Sequence, residues 1–415
     1  MIKKTRILFA SIIGTALEFY DFMLYAVFLE AIAQSYFPND DVMTNQIFGH
    51  VGFVAAFLMR PFGASVFGYI GDRWGRRKAL ILSISLMGIP TLIIGILPTY
   101  TQIGVWASVI LIASRLFQGL CTGGEYNGSA IFALEHVGKR YPGMTGGLIT
   151  GASVIGALFA TLMGLLLKQE GMPSWGWRLA FVLGGVVSLV GLYIRLYTSE
   201  SPAFQKMKKE HKTERAPLMS AITRDWSSSL TTIVIGTLNG VLSYTLFKFL
   251  DIYLCHHLCM DQREVLKFSS VGIIVYIFSA PTMGFLLDKM GGPKMLTRAC
   301  IFVFIAALPL YYLLQQKSPG SLLAAQILLG LCVASIAGPQ HAFVQTIFPV
   351  ADRYSGVSFN YCVGMALGGG GGPLLMELAV TYFGNLYLPA FFLMTVSFIG
   401  FWAIYLRSRQ NRFYS

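Results

Sequence analysis

Four ionisable residues stand where an apolar chain should carry none: Glu18, Asp21, Arg60 and Arg115 each interrupt a long apolar run. At about 1.5 Å of rise per helical residue, Glu18 and Asp21 lie about 17–21 Å into the first run. Arg115 lies about 18–20 Å into the fourth run, with Arg60 midway along the second. Two acids and two cations therefore share one depth. Glu18 and Asp21, three apart, occupy one helix face, and Arg115, Gln118, Thr122 and Glu125 fall in one sector of the fourth helix. A charge held at such depth in a bilayer costs several kcal/mol unless it has a partner or a purpose. Any one of them could be a structural ion pair, but four would be a costly way to join helices that small residues pack more cheaply. A carboxylate beside an arginine can be held by the cation or neutralised by a proton, the two-state chemistry that proton coupling requires.

The elements that must position these residues follow from composition. Hydrophobic residues make up 55% of the 415-residue chain and charged residues 12%, about half the charged share of a soluble domain. The apolar runs predict an all-α membrane protein with helices over 7–37, 46–70, 79–98, 102–134, 143–167 and 178–197, then 228–256, 265–287, 295–315, 320–347, 356–383 and 386–406. Twelve spans place both termini on one side. Nearly all the surplus charge of +12 lies in the loops of that side: Lys3, Lys4, Arg6, the residues 73–78, Lys139, Arg140, the segment 195–224, Lys289, Lys294, Arg298, Arg353 and Arg407, Arg409, Arg412. The asymmetry predicts cytoplasmic termini, and it accounts for the basic charge without nucleic acid. The polar stretch 198–227 reads as a cytoplasmic linker between an N-terminal bundle (1–197) and a C-terminal bundle (228–415). The first apolar run is too long for a signal core, so no cleaved leader is expected, nor an appended soluble domain.

Outside the mid-depth set the signals are weaker. Asn239 and Tyr244 on the seventh span could line a cavity, and Lys248 and Asp251, three apart, are expected to pair. Glu377 is isolated. Cys255-His256-His257-Leu258-Cys259 could gather around a metal or could simply end a helix, and a helix end is the preferred reading. The run Gly368–Gly372 before Pro373 predicts a bend or unwound stretch where backbones approach closely.

Between the second and third spans the chain reads Gly68-xxx-Asp72-Arg73-x-Gly75-Arg76-Arg77, a glycine-hinged basic clip too polar for lipid. It recurs, weakened, as Gly284-xxx-Asp288-Lys289-x-Gly291. Arg140-Tyr-Pro-Gly143 is echoed at nearly the same offset by Arg353-Tyr-Ser-Gly356. Two echoes at one offset point to a duplicated unit, hence to two pseudo-symmetric six-helix bundles.

The clip resembles the signature loop of the major facilitator superfamily. Further segments resemble its metabolite:proton symporter family, whose members carry proline and betaine, 2-oxoglutarate, citrate or shikimate. These are Gly14-Thr-Ala-Leu-Glu18-Phe-Tyr-Asp21-Phe, Arg60-Pro61-Phe-Gly63, Arg115-Leu-Phe-Gln118-Gly119, Gly123-Gly124-Glu125-Tyr126, Trp175-Gly-Trp-Arg178, Glu200-Ser-Pro202-Ala-Phe204 and Phe348-Pro349-xxx-Arg353-Tyr354-Ser355-Gly356. The resemblance covers nearly the whole chain and implies the twelve-helix major facilitator fold. It implies proton coupling at Asp21 and Arg115 and a substrate carboxylate at Arg60; by their mid-depth placement Glu18 joins the coupling pair and Arg115, Gln118 and Glu125 the substrate contacts, with Asn239 and Tyr244 added from the seventh span. It also implies a cytoplasmic gate of Asp72, Arg76, Glu135 and Glu200, joined through the clip and its echoes by Gly68, Arg73, Arg77, Arg140, Asp288 and Arg353. Two departures weaken the gate in the second half: Thr346 stands where an acid commonly precedes the Ile-Phe-Pro turn, and Gly292-Pro293 replaces the paired arginines. The C-terminal coiled coil of the osmosensing betaine transporter is also missing.

The function expected is proton-coupled import of a small carboxylate-bearing metabolite or zwitterionic osmolyte by alternating access, in a bacterial inner membrane. An exporter or uniporter of the same fold is the alternative within transport, and a non-transporting receptor the alternative outside it. No enzyme activity, cofactor or metal is expected, the proton serving as coupling ion. The partners expected are a small-molecule substrate and the bilayer, without nucleic acid, around a monomer. Without a phosphate-binding loop, energy must come from a gradient.

Overall fold

The computed structural model describes residues 2–37, 42–138, 140–169 and 171–413, without the side chains of 2–4, 42–50, 53 and 410–413. Lys139 and the side chains of Lys3, Lys4 and Arg412 therefore lie outside the described residues. Among these, twelve helices are long and apolar enough to span a bilayer: α1 (Thr5–Val27), α2 (Val54–Arg73), α3 (Arg76–Ile96), α4 (Val105–Val137), α5 (Pro142–Leu167), α6 (Arg178–Leu196), α7 (Trp226–His257), α8 (Gln262–Met290), α9 (Gly292–Gln315), α10 (Pro319–Thr346), α11 (Arg353–Phe383) and α12 (Leu388–Arg409). Each matches an expected span within a few residues, except that the first run ends early and the apolar window of the second starts at Val54 within a helix that runs Val42–Arg73. Helical geometry breaks at buried Phe28 (φ −103°, ψ 18°) and restarts as a separate short helix, Leu29–Tyr36.

Only part of each span is covered by protein, from 28% of its apolar window in α8 to 67% in α7. Leu58 and Phe62 on α2, Leu165 on α5 and Phe278 on α8 are each more than 60% exposed. Apolar exposure on this scale requires lipid, and the chain is a multi-pass membrane protein.

The chain forms two compact units. The first comprises residues 1–136, 152–220 and 350–359, and the second 137–151, 221–349 and 360–415. In the first unit an aromatic cluster of Tyr25, Phe28, Tyr36, Trp177 and Phe181 packs one end of the helices. The segment after α6 is not unstructured. Ser201 caps a short helix, Pro202–Lys209, by accepting from the Phe204 N–H at 3.0 Å, and a second short helix covers Pro217–Arg224.

The glycine run departs from expectation. Residues Ala366–Gly371 stay helical in wider π turns rather than unwinding. Close backbone approach is nevertheless present: a Cβ on Gly240 of α7 would meet the Gly369 nitrogen at 2.6 Å. Without side chains in the way, α7 seats against the run directly, and the helix absorbs the extra residues as π turns.

Candidate functional site

Four mid-depth residues of the first unit form one hydrogen-bonded chain. Arg115 donates from Nη1 to Gln118 Oε1 (2.7 Å), Gln118 from Nε2 to Thr91 Oγ1 (2.8 Å), and Thr91 from Oγ1 to Asp21 Oδ2 (2.8 Å). Asp21 and Arg115 are thus joined through Thr91 and Gln118 rather than directly. Arg115 stacks its guanidinium 4.1 Å from the Tyr25 ring, and Arg60 sits 4.2 Å from the Phe22 ring and 4.9 Å from Phe57. Glu18, Asp21, Arg115 and Gln118 are all buried. Several of their polar atoms find no protein partner: Arg115 Nη2, Arg60 Nε, Asp21 Oδ1 and Glu18 Oε2. Buried donors and acceptors left open in one place are costly, and such a set is what a polar ligand would satisfy.

Glu125 is engaged differently from the rest of the set. Its carboxylate forms a buried ion pair with Arg195 at the end of α6 and accepts from Ser83 Oγ at 2.5 Å and Ser129 Oγ at 3.0 Å. Arg195 also donates to the Leu80 carbonyl at 2.9 Å and to Ser129 Oγ at 2.9 Å. The group therefore ties α3, α4 and α6 together, with its acceptor sites filled by protein. Reading the sequence placed Arg195 in the basic cytoplasmic segment. The signal that could have found it is the stripe Gly184, Ser188, Gly191, Arg195, four buried residues at helical spacing on the small-residue face of α6.

The clip residues meet at one end of the first unit. Asp72 Oδ1 accepts the Tyr354 N–H (3.0 Å) and Oδ2 the Ser355 N–H (2.8 Å), in the first turn of α11. Arg76, fully buried, lies 3.2 Å from Asp72 and 3.4 Å from Glu135, and donates to the carbonyls of Gly71 (2.8 Å) and Val350 (2.6 Å). Arg353 pairs with the other oxygen of Glu135 at 3.1 Å, and Ser201 Oγ donates to Glu135 as well. Glu200 accepts the Arg77 N–H at 3.2 Å and the Ser201 N–H at 2.8 Å. Gly75, at φ +122°, turns the clip in a conformation that side chains rarely adopt, with Glu200 where a Cβ would point. Gly68 approaches α11 so closely that a Cβ would lie 2.7 Å from the Ser355 Cα. Arg73 is exposed and lies outside this ion network, donating to the Tyr69 hydroxyl at 2.8 Å and the Arg215 carbonyl at 3.4 Å.

In the second unit, Asp288 accepts the N–H groups of Gly143 (2.6 Å) and Met144 (3.0 Å) at the start of α5. Arg140 is exposed and lies 5.6 Å over the Tyr141 ring. Asn239 donates to the Tyr361 hydroxyl at 2.8 Å, with the His341 ring 6.1 Å from that of Tyr361, and Tyr244 packs against Gly369. Asp251 accepts from Ser269 Oγ at 2.5 Å. Glu377, isolated in the sequence, meets His257 Nε2 at 3.1 Å. Among the described residues no group of three or more His, Cys, Asp or Glu is arranged to hold a metal.

The relatives agree with this architecture. The description "Major Facilitator Superfamily" matches residues 11–322 and 268–412. An inner membrane metabolite transport protein of Escherichia coli, YhjE, is 34% identical over 405 residues, covering 93% of this chain and 91% of that protein. The glycine betaine/proline/ectoine/pipecolic acid transporter OusA of Dickeya dadantii is 30% identical over 404 residues, covering 94% of this chain and 80% of that protein. Among solved structures, the proton:xylose symporter XylE superposes with a TM-score of 0.77 over 98% of this chain and 95% of its own, at 16% identity, a likeness of fold. Twelve lipid-facing helices, the signature clip and these relatives together identify the chain as a transporter, not an enzyme, of the major facilitator superfamily, in its metabolite:proton symporter family.

Proposed function

We propose that the chain imports a small zwitterionic or carboxylate-bearing metabolite together with protons, by alternating access of its N-terminal (1–197) and C-terminal (228–415) bundles. The observation that carries this reading is the set of open buried atoms on Glu18, Asp21, Arg60 and Arg115. Arg115 Nη2 and Arg60 Nε are donors without acceptors, and Asp21 Oδ1 and Glu18 Oε2 are acceptors without donors. A substrate carboxylate would take the arginine donors, and a substrate ammonium the acidic oxygens. The faces of Phe22, Phe57 and Tyr25 already hold the protein's own guanidinium groups, which favours a carboxylate as the anchoring group over an aromatic cage for a quaternary cation. Proline, named for OusA and for a proline/betaine transporter of Escherichia coli 30% identical over 413 residues, has both groups. Betaine, named for the same two, shares the carboxylate, while its quaternary ammonium could meet the acids by charge alone. Asp21 is the proton carrier in this reading, with Glu18 beside it. The relatives and the charge asymmetry support an inner-membrane location with both termini cytoplasmic.

Uptake of labelled proline and glycine betaine into vesicles under an imposed proton gradient tests the proposal. Accumulation above equilibrium that a protonophore collapses is the expected result. Downhill flux alone would make the protein a uniporter, and accumulation only in inverted vesicles would make it an exporter.

A further inference from the structure

The chain Arg115–Gln118–Thr91–Asp21 contains a group able to change its hydrogen bonding with the state of the acid. Thr91 Oγ1 lies 2.8 Å from Asp21 Oδ2 and 3.1 Å from the Met87 carbonyl, and a hydroxyl has one proton to donate. When Asp21 is ionised, Thr91 donates to it and accepts from Gln118. When Asp21 is protonated, its O–H donates to Thr91 Oγ1, and Thr91 turns its own proton to the Met87 carbonyl. Thr91 Oγ1 then accepts from both Asp21 and Gln118. The donors that meet at Thr91, its own hydroxyl included, are satisfied in both states, so the switch needs no movement of the backbone.

We propose that Thr91 and Gln118 are positioning residues that relay the protonation state of Asp21 to Arg115, the residue that receives the substrate carboxylate. The inference rests on the proton-coupled reading above. While Thr91 donates to a carboxylate, its oxygen is polarised, and the Gln118 N–H bond to it is strengthened along the chain. Gln118 then holds Arg115 Nη1 through its own carbonyl at 2.7 Å. Protonation of Asp21 places a second donor on Thr91 Oγ1, weakens the hold of Gln118, and frees the guanidinium to turn toward a substrate. The sign suits symport, because the protonated protein binds substrate more tightly. The titratable groups acting on Asp21 are Tyr20 on its own helix and Arg115 on α4, while α3 and α6 present Thr91 and Gly184 to it. The field of Arg115 also reaches Asp21 through space, so the relay has a rival explanation that experiment can separate.

Dissociation constants for proline and glycine betaine, measured by calorimetry on the full chain in nanodiscs at acid and alkaline pH, give the coupling as a ratio. A ratio of about tenfold in the native protein lies in the usual range of coupling between sites. Thr91→Val keeps the shape without the hydroxyl that anchors Gln118, and should bring the ratio below about twofold by raising the alkaline affinity nearly to the acid value. Thr91→Ser should restore it, and Gln118→Leu, a second break in the same chain, should behave like Thr91→Val should that variant fail to fold. A native ratio in Thr91→Val and Gln118→Leu, with the ratio lost in Asp21→Asn, would overturn the relay in favour of through-space coupling. A native ratio in Asp21→Asn would instead overturn Asp21 as the proton carrier.

Discussion

Asp72 and Asp288 occupy equivalent places in the two sequence repeats and perform the same local task with unequal support. Each caps the first turn of a helix by accepting two backbone N–H groups, Tyr354 and Ser355 for the one, Gly143 and Met144 for the other. Such amides have no partner within their own helix, and a carboxylate there also meets the positive end of the helix dipole. Beyond that cap the repeats diverge. Asp72 is fully buried against Arg76, which also reaches Glu135 and two carbonyls, whereas Asp288 is half-buried and Gly292-Pro293 follows where the paired arginines would stand. Glu135 has a counterpart in Thr346, whose hydroxyl bonds back to the Phe343 carbonyl at 2.7 Å. The cap has persisted in both repeats, and the ion network is built in only one. Duplication therefore preserved the backbone contact, while the side-chain chemistry around it was free to differ.

The largest effect is expected where the network converges. Arg76→Ala leaves Asp72 and Glu135 buried with less countercharge, and breaking a buried pair from one side costs about 3–5 kcal/mol. Thermal melting in detergent should show a marked loss of stability. Arg76→Lys should recover only part, since one ammonium cannot reach two carboxylates and two carbonyls together. A melting profile equal to the native one in Arg76→Ala would mean that the first clip is no better supported than the second.

Asp72→Asn comes next. The amide keeps the shape but can offer one acceptor where two N–H groups need one each. Hydrogen exchange at Tyr354 and Ser355 should speed up about a hundredfold, which corresponds to about 2.8 kcal/mol of lost local protection. The same change should weaken the hold of residues 350–359 on α2. Exchange confined to the native rate would remove Asp72 as the cap.

These contrasts show what a single sequence makes legible. The twelve spans are readable because lipid demands long apolar helices, and the clip and the Arg-Tyr-x-Gly turn because each recurs at nearly one offset, but that they meet as helix caps is seen only in the fold. The sequence presents Glu125 as a substrate contact because its partner Arg195 is seventy residues away in the chain and borders a run of lysines and arginines. Thr91 was passed over because a helical threonine usually bonds its own backbone, as this one can to Met87. Only packing reveals that the same hydroxyl also faces Asp21. Glycines at 368–372 predict close approach correctly but do not say whether the helix unwinds, because π turns use the same residues.

A smaller effect is expected at the second clip. Asp288→Asn loses the same two backbone bonds, but water can replace part of them at a half-buried site. Exchange at Gly143 and Met144 should quicken by about tenfold or less, near 1.4 kcal/mol. An effect as large as that of Asp72→Asn would show that the cap alone, without the arginine network, carries the protection in both repeats.

The smallest effect separates the two arginines of the echoed turns. Arg353 pairs with the buried carboxylate of Glu135, so Arg353→Ala leaves that acid to Arg76 and Ser201 and should cost about 1–3 kcal/mol. Arg140 stands at the matching place of the other repeat, exposed and stacked on Tyr141, opposite a repeat that carries Thr346 instead of an acid. A guanidinium on an exposed ring contributes about 0.5–1 kcal/mol at most, so Arg140→Ala should melt close to the native protein and transport proline or betaine at a rate within about twofold of it. The comparison is informative because each arginine opens an Arg-Tyr-x-Gly turn, and of the two Arg353 is the one paired with a buried acid. Should Arg140→Ala slow transport as much as Arg353→Ala does, the second repeat must engage Arg140 with another acceptor during the transport cycle. The asymmetry between the clips would then belong to one conformation rather than to the fold.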